Sequence, residues 1–216
     1  MGGRRGYGPT HSQSIEKHFL GLPDTRVLAV HHRHDAGEFY DRLFAKIDQP
    51  TLVIENKVLY GQRATDEMPA GFFLESSDED FPTTRIRPDG SADVTVVCYG
   101  EMFREVENAV VQLFDDHEVV CEIVCPAQLY PLNLYPIFEA VARSRRVLVV
   151  EEGIGFAGFG AEVISQLLER APGTLVLGRR LACPEQPIPA CAQMEKDMLP
   201  NSDSIVRTIV EMMNHA

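Results

Sequence analysis

Histidine changes charge nearest neutral pH, so the histidines are the first candidates for proton transfer. His11 lies in Gly6-Tyr7-Gly8-Pro9-Thr10-His11-Ser12-Gln13-Ser14, a glycine-rich approach to a helix start. With an unperturbed pKa of ~6.5 an imidazole there can exchange protons with a substrate, although the helix dipole disfavours its cation. The plain alternative is a surface or capping residue. His31, His32 and His34 invite a metal reading, with His32 and His34 on one face of a strand end and His31 opposite. No carboxylate or cysteine is spaced to complete a tetrahedral site, so a solvated loop is expected. The five cysteines are odd in number and form no Cys-x-x-Cys, which predicts reduced, mostly buried thiols. Cys121 and Cys125 face one way along a strand but lie too far apart to bond, so they are read as core.

Gly153-Ile154-Gly155-Phe156-Ala157-Gly158 fits the Gly-x-Gly-x-x-Gly pattern, follows a strand and opens a helix. Arg179-Arg180 come after the next predicted strand, where a 2′-phosphate could be met. Against a dinucleotide, Glu151-Glu152 put two negative charges where a pyrophosphate would sit, and the motif follows the third strand of its unit. A close-packing turn is the expected role.

Positioning these residues requires a set of elements. Thr10 and Gln13 have capping-box spacing, Ile15 and Phe19 share a helical face, and Gly21-Leu22-Pro23 supplies a stop, so a helix is predicted there. Strands follow at Val27 to Val30 and Thr51 to Ile54, flanking a helix announced by Asp35 and Glu38 and by the stripe Phe39, Tyr40, Leu43, Phe44, Ile47. Residues 62–91 hold Pro69, Pro82, Pro88 and the acidic cluster Glu75, Asp78, Glu79, Asp80, which reads as a linker with a solvated loop and Arg85-Ile86-Arg87 as an edge strand. From Asp93, strands (Val94 to Tyr99, Val119 to Val124, Val147 to Val150, Thr174 to Leu177) alternate with helices (Glu101 to Phe114, Leu134 to Arg143, Gly160 to Arg170), and a last helix spans Asp203 to Met213. Wholly apolar strands followed by amphipathic helices imply a mainly parallel sheet covered on both faces, a three-layer α/β domain over 92–216. Residues 1–61 make only two strands and two helices, whereas such sheets usually carry about 4 to 6 strands. Most of that sheet is expected from other polypeptide.

The chain has 216 residues, 44% of them apolar, which suffices for packed cores. Its formal net charge of −12 repels a phosphate backbone, so nucleic-acid binding is not expected. No run approaches the ~18 to 20 apolar residues of a membrane span, and no signal peptide is evident, which predicts a soluble, cytoplasmic protein.

Taken together, Gly2-Gly3-Arg4-Arg5-Gly6-Tyr7-Gly8-Pro9-Thr10-His11-Ser12-Gln13-Ser14, then Asp35-Ala36, then Pro50 with Ile54-Glu55-Asn56-Lys57-Val58-Leu59-Tyr60-Gly61, resemble the later part of the pyrimidine-binding domain in beta subunits of thiamine-diphosphate-dependent 2-oxo acid dehydrogenases. Tyr130-Pro131-Leu132, Val149-Val150-Glu151-Glu152-Gly153, Gly158-Phe159-Gly160-Ala161-Glu162, and Met194-Glu195 with Leu199-Pro200 resemble the transketolase C-terminal domain that completes those subunits. The resemblance implies a pyruvate-, branched-chain- or acetoin-type decarboxylating component. In that family an alpha-type subunit binds the diphosphate and Mg²⁺, the beta subunit binds the aminopyrimidine, and an acyl group passes to lipoamide on an acyltransferase. By position in the His-Ser-Gln segment, His11 is implied as the catalytic residue of reductive acylation. The segment carrying the cofactor-activating glutamate has no counterpart here, so partners are implied: the alpha-type subunit, a chain supplying that segment, a second copy, and a lipoyl acyltransferase or acyl-carrier protein. No cofactor-binding residue can be assigned. Cys125-Pro126-Ala127 stand where the family commonly has Asp-Leu-Arg, and Asn133 where it has aspartate, which implies an altered interface and acceptor. Two other readings fit the same residues: a split transketolase-like or carrier-directed enzyme, and a non-catalytic assembly subunit.

Overall fold

A computed structural model describes residues 2–61, 63–65 and 67–214; Met1, Gln62 and Ala216, three of the termini of the expected segments, lie outside the described residues. The order of elements is β1 (Arg26–Ala29), α1 (Ala36–Ala45), β2 (Thr51–Ile54), β3 (Phe72–Ser76), β4 (Thr83–Pro88), β5 (Val94–Cys98), α2 (Met102–His117), β6 (Cys121–Pro126), β7 (Gln128–Tyr130), α3 (Tyr135–Ser144), β8 (Arg146–Ile154), α4 (Phe159–Arg170), β9 (Leu177–Cys183), α5 (Ala192–Met198) and α6 (Ser202–Asn214).

The larger sheet has the order β3-β4-β6-β5-β8-β9. The β6-β5-β8-β9 part is parallel, and the β3-β4 hairpin joins antiparallel to β6. Successive strand side chains point to opposite faces, which is why these strands are apolar throughout. Val96, Ile123 and Leu148 pack with Phe103, Val106, Ile205 and Ile209 of α2 and α6. Val97, Val124 and Val149 pack with Ile137, Val141, Val163 and Leu167 of α3 and α4 on the other side. The expected three-layer α/β domain with a mainly parallel sheet is therefore present.

The smaller sheet is β2-β1-β7, with β1 parallel to β2 and antiparallel to β7. α1 covers one face through Phe39 and Leu43 against Leu28. Val27, Ala29 and Ile54 on the other face enter the core that holds Leu129, Leu134 and Ile137. The two-stranded unit thus borrows a third strand from the chain after β6, and among the described residues β2 keeps one open edge.

Four expectations change. Residues 8–18 form two single 3-10 turns, Gly8–Thr10 and Glu16–His18, instead of a helix. Gly6 and Gly8 take positive φ (68° and 69°) and pack on Ala190, and Ser12 and Glu16 are buried, so contacts outside the segment dictate its path. Where composition predicts a linker, residues 72–88 form the β3-β4 hairpin, and Arg85-Ile86-Arg87 lie inside the sheet, with β3 at its edge. Arg179-Arg180 sit within β9, which starts at Leu177, three residues after the start of the expected strand. The histidine cluster is packed instead of solvated: the His31 and His34 rings stack at 3.5 Å, His31 meets Phe103 edge-on, and His32 bonds Glu107 at 3.0 Å.

Candidate functional site

In an open α/β sheet, ligands collect beyond the carboxyl ends of strands where neighbouring strands send their chains to opposite faces. Here that place lies between β5, which leads through Tyr99-Gly100-Glu101 into α2, and β8, which leads into α4 on the other face. The crevice is filled by the chain's own residues 3–16. β8 delivers Glu151 and Glu152 into it, both buried at the end of an otherwise apolar strand.

Glu152 holds the segment at two points. Its Oε1 accepts from Gly3 N at 3.0 Å and from Ser14 Oγ at 2.8 Å, and its Oε2 accepts from Asn56 Nδ2 at 3.3 Å. Glu195 of α5 accepts from Gly6 N at 2.5 Å. Arg4 donates to Glu101 at 3.1 Å and to the Pro200 carbonyl at 2.7 Å. Glu16, one turn beyond the loop, accepts from the Tyr99 hydroxyl at 2.5 Å. Three buried glutamates of the second unit, Glu101, Glu152 and Glu195, therefore anchor one short segment of the first, and Glu16 of that segment is bonded in turn by Tyr99.

Crowding carboxylates away from water has an electrostatic cost. Burial raises the Glu16 carboxyl above its ordinary range and pushes Glu101 and Glu151 up to about 7; the Arg4 guanidinium only partly offsets this at Glu101. Burial and the neighbouring carboxylates also raise the Tyr99 phenol.

Between its anchors the segment is a compact loop of the Ω type, with His11 exposed near its tip. The turn is closed by Ser12 N and His11 N on the Gly8 carbonyl at 3.0 and 3.3 Å. Ser12 is fully buried and its hydroxyl has no hydrogen-bond partner among the described residues. Beside the loop opens a cleft of ≈ 390 Å³ lined by Gln13, Ser14, Lys17, Glu152, Ile154 and Ile188, among others. Lys17 caps the carbonyls of Ile154 and Phe156 at its rim. The arrangement presents the His11 imidazole to solvent on a hydrogen-bonded loop whose following residues, Gln13 and Ser14, line a groove of mixed polar and apolar side chains.

The glycine motif is a packing device. A Cβ on Gly158 would fall 2.4 Å from Glu151 Oε2, and one on Gly155 would fall 2.9 Å from Ala182 Cβ. Glu151 Oε1 accepts from Gly160 N at 3.1 Å, so the α4 N-terminus that would cradle a phosphate already holds a protein carboxylate. Arg179 pairs with Glu211 at 3.0 Å, and Arg180 donates to the Gly155 carbonyl at 2.5 Å. No metal-ligating group of three or more side chains forms among the described residues, and Cys98, Cys121, Cys125 and Cys183 are buried free thiols.

Sequence reasoning singled out His11 and treated Glu151-Glu152 as an obstacle to phosphate. It missed their role as anchors, along with those of Arg4, Tyr99, Glu101 and Asn56. The available signal was the pair of acids directly continuing the apolar run Val147 to Val150, which is anomalous unless polar partners arrive from elsewhere.

Comparison with known proteins agrees with this architecture. The chain is 26% identical over 208 residues to the pyruvate dehydrogenase E1 component subunit beta of Rickettsia felis, covering 92% of the chain and 59% of that protein. It is 26% identical over 223 residues to the mitochondrial subunit beta of Caenorhabditis elegans (100% and 60%), and 27% identical over 210 residues to the subunit beta-1 of Arabidopsis thaliana (95% and 56%). It thus spans about three fifths of the length of these relatives. A split gene transketolase, solved as an inactive beta4 tetramer, shares the fold with a TM-score of 0.65 at 16% identity, over 94% of this chain and 62% of that one. Residues 83–205 match the family described as the transketolase C-terminal domain, and the chain, more than half of which they make up, belongs to that family.

Proposed function

We propose that the chain is part of a beta-type subunit of a thiamine-diphosphate-dependent 2-oxo acid dehydrogenase, in which His11 serves acyl transfer to a dithiolane acceptor such as lipoamide. Residues 1–61 are read as the later portion of a pyrimidine-binding domain and 92–216 as the transketolase C-terminal-like domain. The reading is supported by similarity to pyruvate dehydrogenase beta subunits along nearly the whole chain. The observation that carries it is the loop 3–14, which three buried glutamates hold while His11 stays exposed.

The chain's own residues offer one wall of a site. The α4 N-terminus is taken by Glu151, so no diphosphate cradle is left there, and thiamine diphosphate with Mg²⁺ is held mainly by partner chains. When bound, that cofactor supplies a carbanion for decarboxylation of the 2-oxo acid. His11 does something separate: opening the acceptor's S–S bond leaves a thiolate, and an imidazolium N–H at the loop tip gives it a proton.

Partners in this reading are an alpha-type subunit, polypeptide that completes the β2 edge, a second copy, and a lipoyl acyltransferase or acyl-carrier protein. Co-expression with an alpha-type subunit and the activating segment tests the proposal. The expected outcome is a stable complex that releases CO₂ from a 2-oxo acid and acylates lipoamide, with neither reaction in the chain alone. Acylation of a carrier protein or an aldose in place of lipoamide would contradict the acceptor, and a complex with no turnover would contradict the enzyme.

A further inference from the structure

We propose that Glu152 is the positioning residue for His11, closing the loop that carries it by hydrogen bonding and not by proton transfer. The inference rests on the reading of His11 above and names the group on which its placement depends. A single oxygen, Oε1, receives both ends of the loop: the Gly3 amide at 3.0 Å and the Ser14 hydroxyl at 2.8 Å. The ends of a twelve-residue loop meeting on one buried acceptor are held in register without a helix or a sheet between them.

The other oxygen ties the closure to the first unit. Oε2 accepts from Asn56 Nδ2 at 3.3 Å, and Asn56 Oδ1 in turn accepts from Val58 N at 3.1 Å. Gly2 lies so close to Asn56 that a Cβ there would sit 2.1 Å from Nδ2. Glu152 is itself buried on β8, just beyond Val147–Val150, where that strand pairs with both β5 and β9, and within the irregularity between Val150 and Ile154 on the β9 side. Arg4 and Gly6 hold the loop's N-terminal limb to Glu101, Pro200 and Glu195, whereas on the C-terminal limb His11 N and Ser12 N bond only the loop's own Gly8 carbonyl and Ser14 makes the bond to the second unit. Loss of the Glu152 acceptor therefore removes the attachment nearest His11, three residues before Ser14, and leaves the next one beyond the loop, at Glu16 on Tyr99.

Because the bonds converge on an acceptor oxygen, a neutral amide oxygen can replace it. Glu152→Gln keeps both loop donors satisfied on its amide oxygen and gives up only the 3.3 Å bond from Asn56, whereas Glu152→Ala strands the loop donors. Hydrogen exchange of the full chain, read by mass spectrometry, measures this directly. Glu152→Ala is expected to raise exchange across residues 3–14 by about tenfold or more, the scale of hydrogen bonds to a buried carboxylate, with β5 and β8 unchanged. Glu152→Gln is expected to stay within about threefold of wild type. Ser14→Ala, which leaves the strand core intact, loosens residues 10–14 and covers the case in which Glu152→Ala does not fold. In the reconstituted complex, Glu152→Ala lowers kcat for acyl transfer with little change in KM for the 2-oxo acid, and Glu152→Gln restores it. Unchanged exchange in Glu152→Ala and Ser14→Ala, or Glu152→Gln as mobile as Glu152→Ala, overturns the closure. A loosened loop with acyl transfer untouched leaves the bonds standing and overturns the role of His11, and with it the positioning role.

Discussion

Glu122 sits on β6 with its carboxylate shared between Arg85 of β4, at 2.6 Å, and Arg143 of α3, at 2.8 Å. It is 2% exposed, and its removal leaves the buried Arg85 guanidinium with Glu139, at 2.6 Å, as its one remaining carboxylate. Glu122→Ala is expected to cost about 3 kcal/mol, visible as a drop in thermal midpoint of about 6 to 12 °C. The raised carboxyls predict a pH trend of definite sign. Glu101 titrates near 7 in the folded chain against an ordinary 4.5, so its contribution to stability is complete below about 4.5 and is lost as pH rises through about 7. His31 and His34 are displaced downward by burial, His34 to about 4, so their contribution is present above ~6.5 and is lost as pH falls toward 4. From pH 6.5 to 8 the glutamates dominate. Thermal melts of Glu101→Gln are expected to show a shallower decline than wild type over that interval; identical slopes would contradict the assignment. These residues were the least legible ones, because Arg4 and Glu101, or Glu16 and Tyr99, stand far apart in the chain and signal nothing locally.

At the level of elements, local signals served where local contacts decide. α1 begins where Asp35 and Glu38 mark it, with Asp35 Oδ1 accepting from Glu38 N at 2.9 Å; of its expected stripe Phe39 and Leu43 are buried, Tyr40 is half-buried, and Phe44 and Ile47 are exposed. The same kind of signal misled at Thr10 and Gln13, since Gly3 N, Gly6 N and Ser14 Oγ bond to glutamates of the second unit and set the path of the segment. The hairpin of β3 and β4 was hidden by Pro82, Pro88 and four acids, and by Arg85, which reads as surface yet is buried against Glu122. Gly158 tests how tightly α4 is seated: in Gly158→Ala the new Cβ must displace the carboxylate that caps Gly160 N. A loss of about 1 to 3 kcal/mol by denaturant unfolding is expected, and a neutral result would show that Glu151 is not fixed there.

The molecule joins a three-layer domain to a three-stranded sheet whose β2 edge is open among the described residues. That residues 1–61 contribute only two strands was legible from their count alone; the addition of β7 was not, because Gln128-Leu129-Tyr130 is too short to carry a periodic signal. Unpaired strand edges favour association, and Phe44 and Ile47 of the same unit are 67% and 65% exposed. Sedimentation of the isolated chain is expected to show mass rising with concentration, reduced by Phe44→Glu. In the assembled enzyme, the measurement that reaches the central claim separates two partial reactions of His11→Ala: decarboxylation read with an artificial electron acceptor, and acyl transfer read with lipoamide. Acyl transfer should fall by about 100-fold while decarboxylation stays within about threefold of wild type, the range of a lost general acid. Equal rates of acyl transfer in the variant and the wild type would contradict the account.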